Sequence, residues 1–325
     1  MMMSSEEILL RINEYIDHMP WQRKPYSLYE PIKYVLAIGG KRIRPTLMML
    51  SYNLYKDNPE SILNTAVALE TYHNYTLLHD DLMDQAPLRR GHETVHMKWD
   101  ANTAILSGDS MLVMAFQMMA QSDTDKLKEV VDLFTETALE IGEGQQYDME
   151  FENRTDVREE EYIEMIRLKT SVLLACAMKI GAILAGASDN DSENLYKFGE
   201  QIGLAFQLQD DYLDVYGNPE TFGKRIGGDI LSNKKTFMLI NALTRSNTAQ
   251  CRQLLDWLTA SDYVEEEKIA AVTQLYNEIG VDKMAEEKIN FYYEEGMKYL
   301  DKVQVSEERK EELIRYTQNM MKRNS

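Results

Sequence analysis

The chain has 325 residues, enough to bury a large hydrophobic core as one big domain or two smaller ones. Its 35 lysines and arginines are outnumbered by 54 aspartates and glutamates, which gives a formal net charge of -19. This excess of negative charge argues against nucleic acid or an anionic membrane surface as the main partner. An acidic protein that binds an anion must gather its cations at one place or recruit metal ions.

The cysteines and the most apolar stretch bear on the compartment of the protein. Cys176 and Cys251 have no spacing typical of a metal or redox site and fit a reduced, cytoplasmic setting. Residues 170–187 are almost wholly apolar or small, but Lys179 lies in their middle. We interpret this stretch as a buried core helix, not a membrane span, and we expect no stable membrane insertion.

Hydrophobic residues recur at helical spacing along the chain, as at Ile8, Ile12, Tyr15 and Ile16, whereas strand signals are scarce. No Asn-Gly or Asp-Gly hairpin dipeptide occurs. No linker rich in glycine, serine or proline divides the chain. The pattern predicts an all-α protein, with residues 1–325 forming a single helical domain.

The first cluster of cations lies in residues 39–45, GGKRIRP, after an apolar helix predicted to end near Ile38. Paired glycines suit a helix C-cap, and Pro45 suits the first turn of the next helix. In so acidic a chain this cluster predicts an anion site, with Lys41 and Arg44 as the first contacts. The alternative is a solvated turn whose cations interact with a helix dipole.

An acidic motif, LLHDDLMD, follows at residues 77–84. If the motif is helical, Asp80 and Asp84 lie on one face, separated by roughly 6 Å of rise. Carboxylate oxygens suit Mg²⁺, which keeps few protein ligands and completes its shell with water and substrate phosphates. For one motif alone, a solvated acidic turn is an equally good interpretation. His73 lies seven residues earlier on nearly the same face, where a lone histidine is usually structural.

Cations also follow the acidic motif. Pro87 breaks the helix, and Arg89 and Arg90 come next. Guanidinium groups suit phosphate oxygens. The alternative is ion pairing with Asp81 or Asp84, which requires no substrate.

The second half of the chain repeats the acidic pattern in QDDYLD, residues 209–214, again after apolar residues where unpaired carboxylates are costly. Before it stand GQQYD, residues 144–148, and Lys169-Thr170 at the predicted head of the apolar helix. After it, residues 223–229, GKRIGGD, predict a glycine-rich lid over bound phosphates, without the strand context of a Walker loop. Residues 234–236, KKT, add further charge.

These motifs, in this order and over essentially the whole length, resemble those of the trans-isoprenyl diphosphate synthases of the polyprenyl synthetase family. The resemblance implies an all-α bundle around a central cavity, usually a homodimer, with the two aspartate motifs facing each other across the cavity mouth. It implies an enzyme that joins isopentenyl diphosphate to an allylic diphosphate such as the dimethylallyl, geranyl or farnesyl compound. The allylic carbon loses diphosphate, and the alkene of isopentenyl diphosphate attacks the resulting cation.

The resemblance also implies roles for individual residues. The aspartates of both motifs would be catalytic: Asp80, Asp81, Asp84, Asp210, Asp211 and Asp214. About three Mg²⁺ ions, for which Mn²⁺ can substitute, would be held by Asp80, Asp84 and Asp210. Arg89, Lys169, Lys224 and Lys234 would contact the allylic diphosphate, and Lys41, Arg44, His73 and Arg90 would hold isopentenyl diphosphate. Thr170 and Gln207 would line the reacting end.

Product length in this family depends on the residues five and four positions before the first aspartate, here Tyr75 and Thr76. An aromatic floor about one helical turn before the metal site favours short products, and we expect farnesyl diphosphate (C15). The first motif is DDxxD and lacks the two-residue insertion of many bacterial farnesyl synthases. Geranylgeranyl (C20) or longer products therefore remain the alternative.

Three other classes of protein fit the motifs less well. A class I terpene cyclase shares the first motif but typically replaces the second with an Asn/Ser/Glu pattern, unlike Asp210, Asp211 and Asp214. A non-catalytic regulatory subunit of a hetero-oligomeric synthase usually has eroded aspartate motifs, and both motifs are whole here. A helical scaffold leaves the ordered arginine and lysine motifs unexplained.

Overall fold

A computed structural model describes residues 2–218 and 226–322. Its helices in the first half of the chain are α1 (Ser5–Asp17), α2 (Tyr26–Ala37), α3 (Ile43–Asn53), α4 (Leu63–Met83), α5 (Val95–Lys98), α6 (Ala101–Met119) and α7 (Leu127–Glu152). They are followed by α8 (Glu159–Ile166), α9 (Val172–Ala185), α10 (Asp189–Tyr216), α11 (Gly228–Leu231), α12 (Phe237–Arg245), α13 (Thr248–Thr259), α14 (Glu265–Ile279), α15 (Val281–Asp301) and α16 (Glu307–Met321). The predicted all-α fold is confirmed.

Backbone contacts divide the chain into two compact units. Unit 1 comprises Met1–Thr135, Cys176–Tyr196 and Val303–Tyr316, and unit 2 comprises Glu136–Ala175, Lys197–Lys302 and Thr317–Ser325. The first aspartate motif belongs to unit 1 and the second to unit 2. The single domain and the facing aspartate motifs both stay predictions.

Unit 1 is built around α4, which packs against α1, α3 and α6. Contacts on several sides explain why α4 buries residues all round, including Val67, Leu69 and Tyr72, instead of a single apolar stripe. Helix α1, by contrast, buries one stripe that includes Ile8 and Ile12. Packing of α4 on several helices holds the first aspartate motif, at its C-terminal end, on a rigid support.

Unit 2 has its own hydrophobic core, in which α12 packs against α14 and α15. Phe237 and Tyr276 are nearly inaccessible to solvent there, as is Leu208 of α10. Leu208 lies two residues before Asp210, so burial of this part of α10 fixes the position of the second aspartate motif.

The apolar stretch is part of a longer continuous helix, Glu159–Ala185, in which Arg167–Ser171 form a π-helical turn between α8 and α9. By length and composition this is a candidate membrane span, and 83% of its most apolar window is buried inside the protein. That burial is what the core-helix interpretation predicts. The predicted helix start at Lys169-Thr170 is wrong, because both residues lie inside the π turn.

A short hairpin was not predicted from the sequence. Strands β1 (Leu88–Arg89) and β2 (His92–Glu93) pair antiparallel through a two-residue turn at Arg90 and Gly91. Both turn residues have positive φ, 54° and 78°, as a type I′ turn requires. The signal was missed because arginine, not asparagine or aspartate, precedes the glycine.

Candidate functional site

The predicted anion loop of unit 1 begins where α2 ends, and its three cations go to different places. Arg42 caps α3 with a positive φ of 48° and is 4% exposed. Its guanidinium pairs with the buried carboxylate of Glu70 at 2.8 Å and donates to the Leu36 carbonyl oxygen at 2.6 Å. Arg42 therefore holds the loop on α2 and α4, while Lys41 is exposed on the loop.

Arg44 contacts the predicted histidine directly. Arg44 Nη1 lies 3.1 Å from His73 Nε2, and since a guanidinium only donates, this nitrogen accepts and the ring proton lies on Nδ1. Burial lowers the pKa of His73 well below its ordinary value, and the charges of Arg44, Arg90 and Arg89 lower it further. His73 is therefore a neutral acceptor surrounded by cations.

Arg90 reaches the same loop from the hairpin. Its guanidinium donates to the Gly39 carbonyl oxygen. Gly40 has a φ of 144°, which L side chains rarely adopt, so glycine is strongly favoured at this position, where the Arg90 guanidinium lies close by. Unit 1 thus brings together Arg44, His73 and Arg90, three of the four residues predicted to hold isopentenyl diphosphate.

The first aspartate motif occupies the C-terminal turn of α4, with Asp84 just beyond the last helical residue. Arg89 pairs with Asp81 at 2.6 Å and lies 3.5 Å from Asp80. Burial raises the pKa of Asp81, and Arg89 opposes this rise; Asp81 and Asp80 in turn raise the pKa of Arg89 against the effect of its burial. The alternative of an Arg–Asp pair is therefore realised for Arg89 and Asp81.

Aromatic rings line α4 just before Asp80, the first aspartate of the motif. The ring centroid of Tyr75 is 4.8 Å from that of His79 and 5.5 Å from that of the buried Tyr72. A Cβ atom at Gly108 of α6 would overlap the His79 ring, so the glycine leaves space for it. The hydroxyl of Thr76 donates to the His73 carbonyl oxygen at 2.8 Å.

In unit 2 the π turn presents Lys169 to Asp148 of α7, with Nζ and Oδ2 2.6 Å apart. Burial alone would raise the pKa of Asp148, but Lys234 and Lys169 hold it below its ordinary value. A Cβ atom at Gly144 would collide with the backbone nitrogen of Lys169. The glycine of GQQYD thus permits the close approach that forms this ion pair.

A hydrogen-bonded chain joins the π turn to the second aspartate motif. Thr170 donates to Gln207 at 3.2 Å, and Gln207 donates to Asp211 at 3.2 Å. The hydroxyl of Tyr162 donates to the other oxygen of Asp211. Burial raises the pKa of Asp211 to about 7 and Asp229 adds to this rise, while Tyr162, Lys234 and Gln207 oppose it.

The last aspartate of the second motif supports the chain after it. Asp214 Oδ1 accepts from the backbone N–H of Asp229 at 2.9 Å, and the Asp214 carbonyl oxygen accepts from Gly227 N–H at 2.6 Å. Lys224 and the first part of the predicted lid lie outside the described residues. Lys234 is described, and its charge acts on both Asp148 and Asp211.

The acidic motifs supply carboxylate oxygens, which suit a divalent metal such as Mg²⁺. Across residues 2–218 and 226–322, no group of three or more His, Cys, Asp or Glu side chains is placed to hold a metal ion. Mg²⁺ commonly takes one or two carboxylates, with water and substrate phosphates completing its shell. Arg89 and Tyr162 engage the middle aspartates, Asp81 and Asp211. Asp80, Asp84 and Asp210 stay the predicted metal ligands, although Arg89 also lies 3.5 Å from Asp80.

Three residues of these sites were missed in the sequence. Asp148 is the last residue of the GQQYD motif, and its role as the partner of Lys169 had no local signal. Tyr162 lies seven residues before Lys169 in a helical pattern, where a tyrosine normally indicates core packing. Glu70, 2% exposed, was hidden in the apolar pattern of α4.

Comparisons with known proteins identify the family of this chain. The family model described as polyprenyl synthetase matches residues 25–279. The geranylgeranyl diphosphate synthase of Methanosarcina mazei is 39% identical over 292 residues, which are 89% of this chain and 88% of that protein.

Solved structures are similar over nearly the whole chain. A crystal structure of a geranylgeranyl pyrophosphate synthase has a TM-score of 0.95 and 40% identity, with 100% of both chains covered. The geranylgeranyl pyrophosphate synthase of Corynebacterium glutamicum, complexed with isoprenyl diphosphate and magnesium, has a TM-score of 0.86 and 27% identity, with 98% of each chain covered. The chain therefore belongs to the polyprenyl synthetase family of trans-prenyltransferase enzymes.

Proposed function

We propose that this enzyme condenses isopentenyl diphosphate with an allylic diphosphate, head to tail, to make geranylgeranyl diphosphate (C20). The observation that carries the proposal is the gathering of Arg44, His73 and Arg90 at one loop of a chain whose net charge is -19. Cations concentrated in this way are expected of a diphosphate site.

The isopentenyl diphosphate subsite is assigned to Lys41, Arg44, His73 and Arg90. Arg44 and Arg90 are held by contacts with His73 and Gly39, so their guanidinium groups are already oriented before substrate binds. Preorganised cations lose little conformational entropy on binding. The Arg42–Glu70 ion pair supports the loop without touching the substrate in this proposal.

The allylic diphosphate is assigned to Arg89, Lys169, Lys224 and Lys234, and its divalent ions to Asp80, Asp84 and Asp210. Magnesium, when bound, neutralises negative charge that develops on the departing diphosphate. The magnesium in the Corynebacterium glutamicum structure supports this choice of metal. The number of ions, about three, rests on the family resemblance alone.

The protein residues contribute to the reaction in three ways. Fixed cations stabilise the leaving diphosphate more strongly in the transition state than in the bound substrate. Thr170 and Gln207, joined by a hydrogen bond, line the reacting end and orient the allylic group. Water must be excluded because it would capture the allylic cation, and the segment 223–229 is assigned to this task. No side chain is assigned as a strong base, and the released diphosphate takes the proton.

The product length is revised from the farnesyl expectation to C20. The relatives described above are named geranylgeranyl synthases, at 39–40% identity over most or all of the chain for two of them. The uninterrupted DDxxD motif agrees with this choice. Tyr75 and Thr76 are assigned to the floor that stops further growth.

A homodimer and a cytoplasmic location complete the proposal. Support for self-association comes from helix α6, whose Leu106 is 59% and Val113 66% exposed. An apolar helix face of this kind is unusual on a monomer surface and suits a second copy of the chain. The negative charge and the free cysteines support a reduced, aqueous compartment.

The proposal is tested by incubating the purified chain and Mg²⁺ with isopentenyl diphosphate and, separately, dimethylallyl, geranyl or farnesyl diphosphate. Products are identified by mass, with a chelator as the control. We expect geranylgeranyl diphosphate as the main product and no turnover in chelator. A main product of C15, or of C25 and longer, would overturn the chain-length assignment, and no condensation with any primer would overturn the activity.

A further inference from the structure

A lysine of unit 2 that the proposed mechanism does not use is almost wholly buried. Lys268, the fourth residue of α14, is 1% exposed. Its Nζ donates to Asn233 Oδ1 at 2.7 Å and to the Leu231 carbonyl oxygen at 3.4 Å, and it lies 4.5 Å from the centroid of the Tyr263 ring. Burying an ammonium group is costly unless it is hydrogen-bonded, so these partners are strongly favoured.

Asn233, the main partner of Lys268, has a backbone conformation that side chains rarely adopt. Its φ is +56°, in the left-handed region that asparagine tolerates better than most residues. Its side chain is held at both ends, since Oδ1 accepts from Lys268 and Nδ2 donates to the Leu258 carbonyl oxygen at 3.1 Å. These contacts fix the turn that follows α11.

The two lysines after Asn233, Lys234 and Lys235, contact different groups. Lys235 Nζ donates to the carbonyl oxygens of Asn233, at 3.2 Å, and of Glu152, at 3.4 Å, the last residue of α7. It therefore serves as a cation at a helix C-terminus. Lys234 has its own backbone contacts: its N–H donates to the Asp229 carbonyl oxygen at 2.9 Å, and its carbonyl oxygen accepts from Thr236 N–H at 2.9 Å. Because Lys234 and Lys235 directly follow Asn233, the turn held at Asn233 sets where the backbone of both lysines lies.

We infer that Lys268 is a positioning residue for Lys234, acting through Asn233. The inference rests on the proposed function, in which Lys234 contacts the allylic diphosphate. Without the ammonium group the left-handed turn loses its main support, and Lys234 no longer presents its charge in a fixed direction. The consequence falls on one substrate, because the isopentenyl diphosphate subsite is assigned to residues of unit 1.

The test compares Michaelis constants for the two substrates in Lys268→Met, which keeps the apolar stem and removes the donor. We expect KM for the allylic diphosphate to rise about tenfold, equivalent to about 1.4 kcal/mol. KM for isopentenyl diphosphate should stay within about twofold of wild type. Asn233→Gly permits positive φ but removes the acceptor for Lys268. It should also raise KM for the allylic diphosphate.

Lys310→Met is the matched control. Lys310 is also the fourth residue of its helix, α16, is 2% exposed, and pairs with Glu307 at 3.0 Å. Its replacement removes a buried ammonium group of the same kind far along the chain from the turn at Asn233. We expect it to change stability while leaving both Michaelis constants as in wild type.

The outcomes separate this inference from the proposed function. If wild-type protein condenses the substrates but both variants, folded at the assay temperature, keep the wild-type KM for the allylic diphosphate, the inference is wrong. Equal rises in both Michaelis constants would also overturn it, because they indicate general damage. If Lys268→Met does not fold, KM of Asn233→Gly for the allylic diphosphate tests the inference by itself. Failure of wild-type protein to condense the substrates would contradict the proposed function instead.

Discussion

His73 shows how a residue with a weak sequence signal gains a definite chemical state from its surroundings. Arg44 donates to its Nε2, and Arg44, Arg90 and Arg89 all oppose a positive charge on the ring. The imidazole is therefore held neutral, so that at this point the site presents a hydrogen-bonding group among cations. A protonated histidine would add charge but would break the Arg44 contact.

This state has a consequence for stability at acid pH. Because the pKa of His73 is lowered in the folded protein, the unfolded chain binds one more proton as pH falls below about 6.5. The free energy of unfolding should therefore fall with pH in that range, by up to about 1.4 kcal/mol per pH unit for this group. Replacement His73→Gln, which keeps an acceptor for Arg44, should remove this contribution.

The measurement is urea unfolding of wild type and His73→Gln between pH 5 and pH 8. The difference in unfolding free energy between the two proteins should be constant above pH 7.5, where the group is neutral in both states. As pH falls below that range, the unfolding free energy of wild type should decrease relative to that of the variant. A difference that stays constant over the whole range would contradict a lowered pKa for His73.

Tyr75 is the residue to which we mainly assign the limit on product length. Its ring contacts Tyr72 and His79, so it is supported on two sides and cannot easily move away from a growing prenyl chain. We expect Tyr75→Ala to lengthen the main product by one or more isoprene units, as judged by product mass. Tyr75→Phe, which keeps the ring, is the control and should leave the product unchanged. An unaltered product from Tyr75→Ala would place the floor elsewhere.

At the scale of the secondary-structure elements, helices were predictable from local sequence patterns. Contacts between residues far apart in the sequence were not. The helix that carries His73 and the first aspartates follows from spacing within a single segment, and the structure forms it as α4 over Leu63–Met83. The ion pair of Lys169 with Asp148 joins residues 21 positions apart. It depends on a π turn, which hydrophobic periodicity does not reveal.

Gly144 is the feature of α7 on which that ion pair depends. A side chain there would meet the backbone of the π turn, whereas a Cβ atom at Gly142, two residues earlier on the same helix, would meet nothing within 4 Å. The two glycines therefore form a natural pair for comparison. Gly144 is required by packing, whereas Gly142 only weakens the helix at an exposed position.

We expect Gly144→Ala to destabilise the protein by about 1–3 kcal/mol through overpacking and to lower condensation activity by displacing Lys169. Gly142→Ala should stabilise it by about 0.5–1 kcal/mol and leave activity unchanged. Urea unfolding and initial rates measure both effects. Similar behaviour of the two variants would show that the close contact at Gly144 does not control the π turn.

For the molecule as a whole, the sequence was most informative about the family and the all-α fold, and least informative about how the candidate site residues are supported. The order of motifs indicated the family without any three-dimensional information. The supporting contacts, such as Arg42 with Glu70 and Tyr162 with Asp211, link different segments and leave no spacing to recognise. The hairpin at Arg90 was missed for a different reason, because arginine rarely adopts positive φ.

The negative net charge of the whole chain bears on which groups the cations of the two sites contact. In a chain with 54 acidic residues, cations near acidic motifs are either neutralised by them or held ready for an anionic substrate. Arg89 and Lys169 pair with Asp81 and Asp148, so substrate binding would compete with these pairs. Arg44 contacts the neutral ring of His73, and Arg90 contacts the carbonyl oxygen of Gly39.

We propose that both aspartate motifs act in the same chemical step, loss of diphosphate from the allylic substrate. The most direct measurement is the condensation rate of Asp80→Ala, of Asp210→Ala and of the double variant, with saturating Mg²⁺ and folding verified by circular dichroism. We expect the condensation rate of each single variant to fall about a thousandfold or more. The double variant should be little slower than the less active single variant, since groups that act as a unit have non-additive effects. Near-normal turnover by either folded single variant would contradict it.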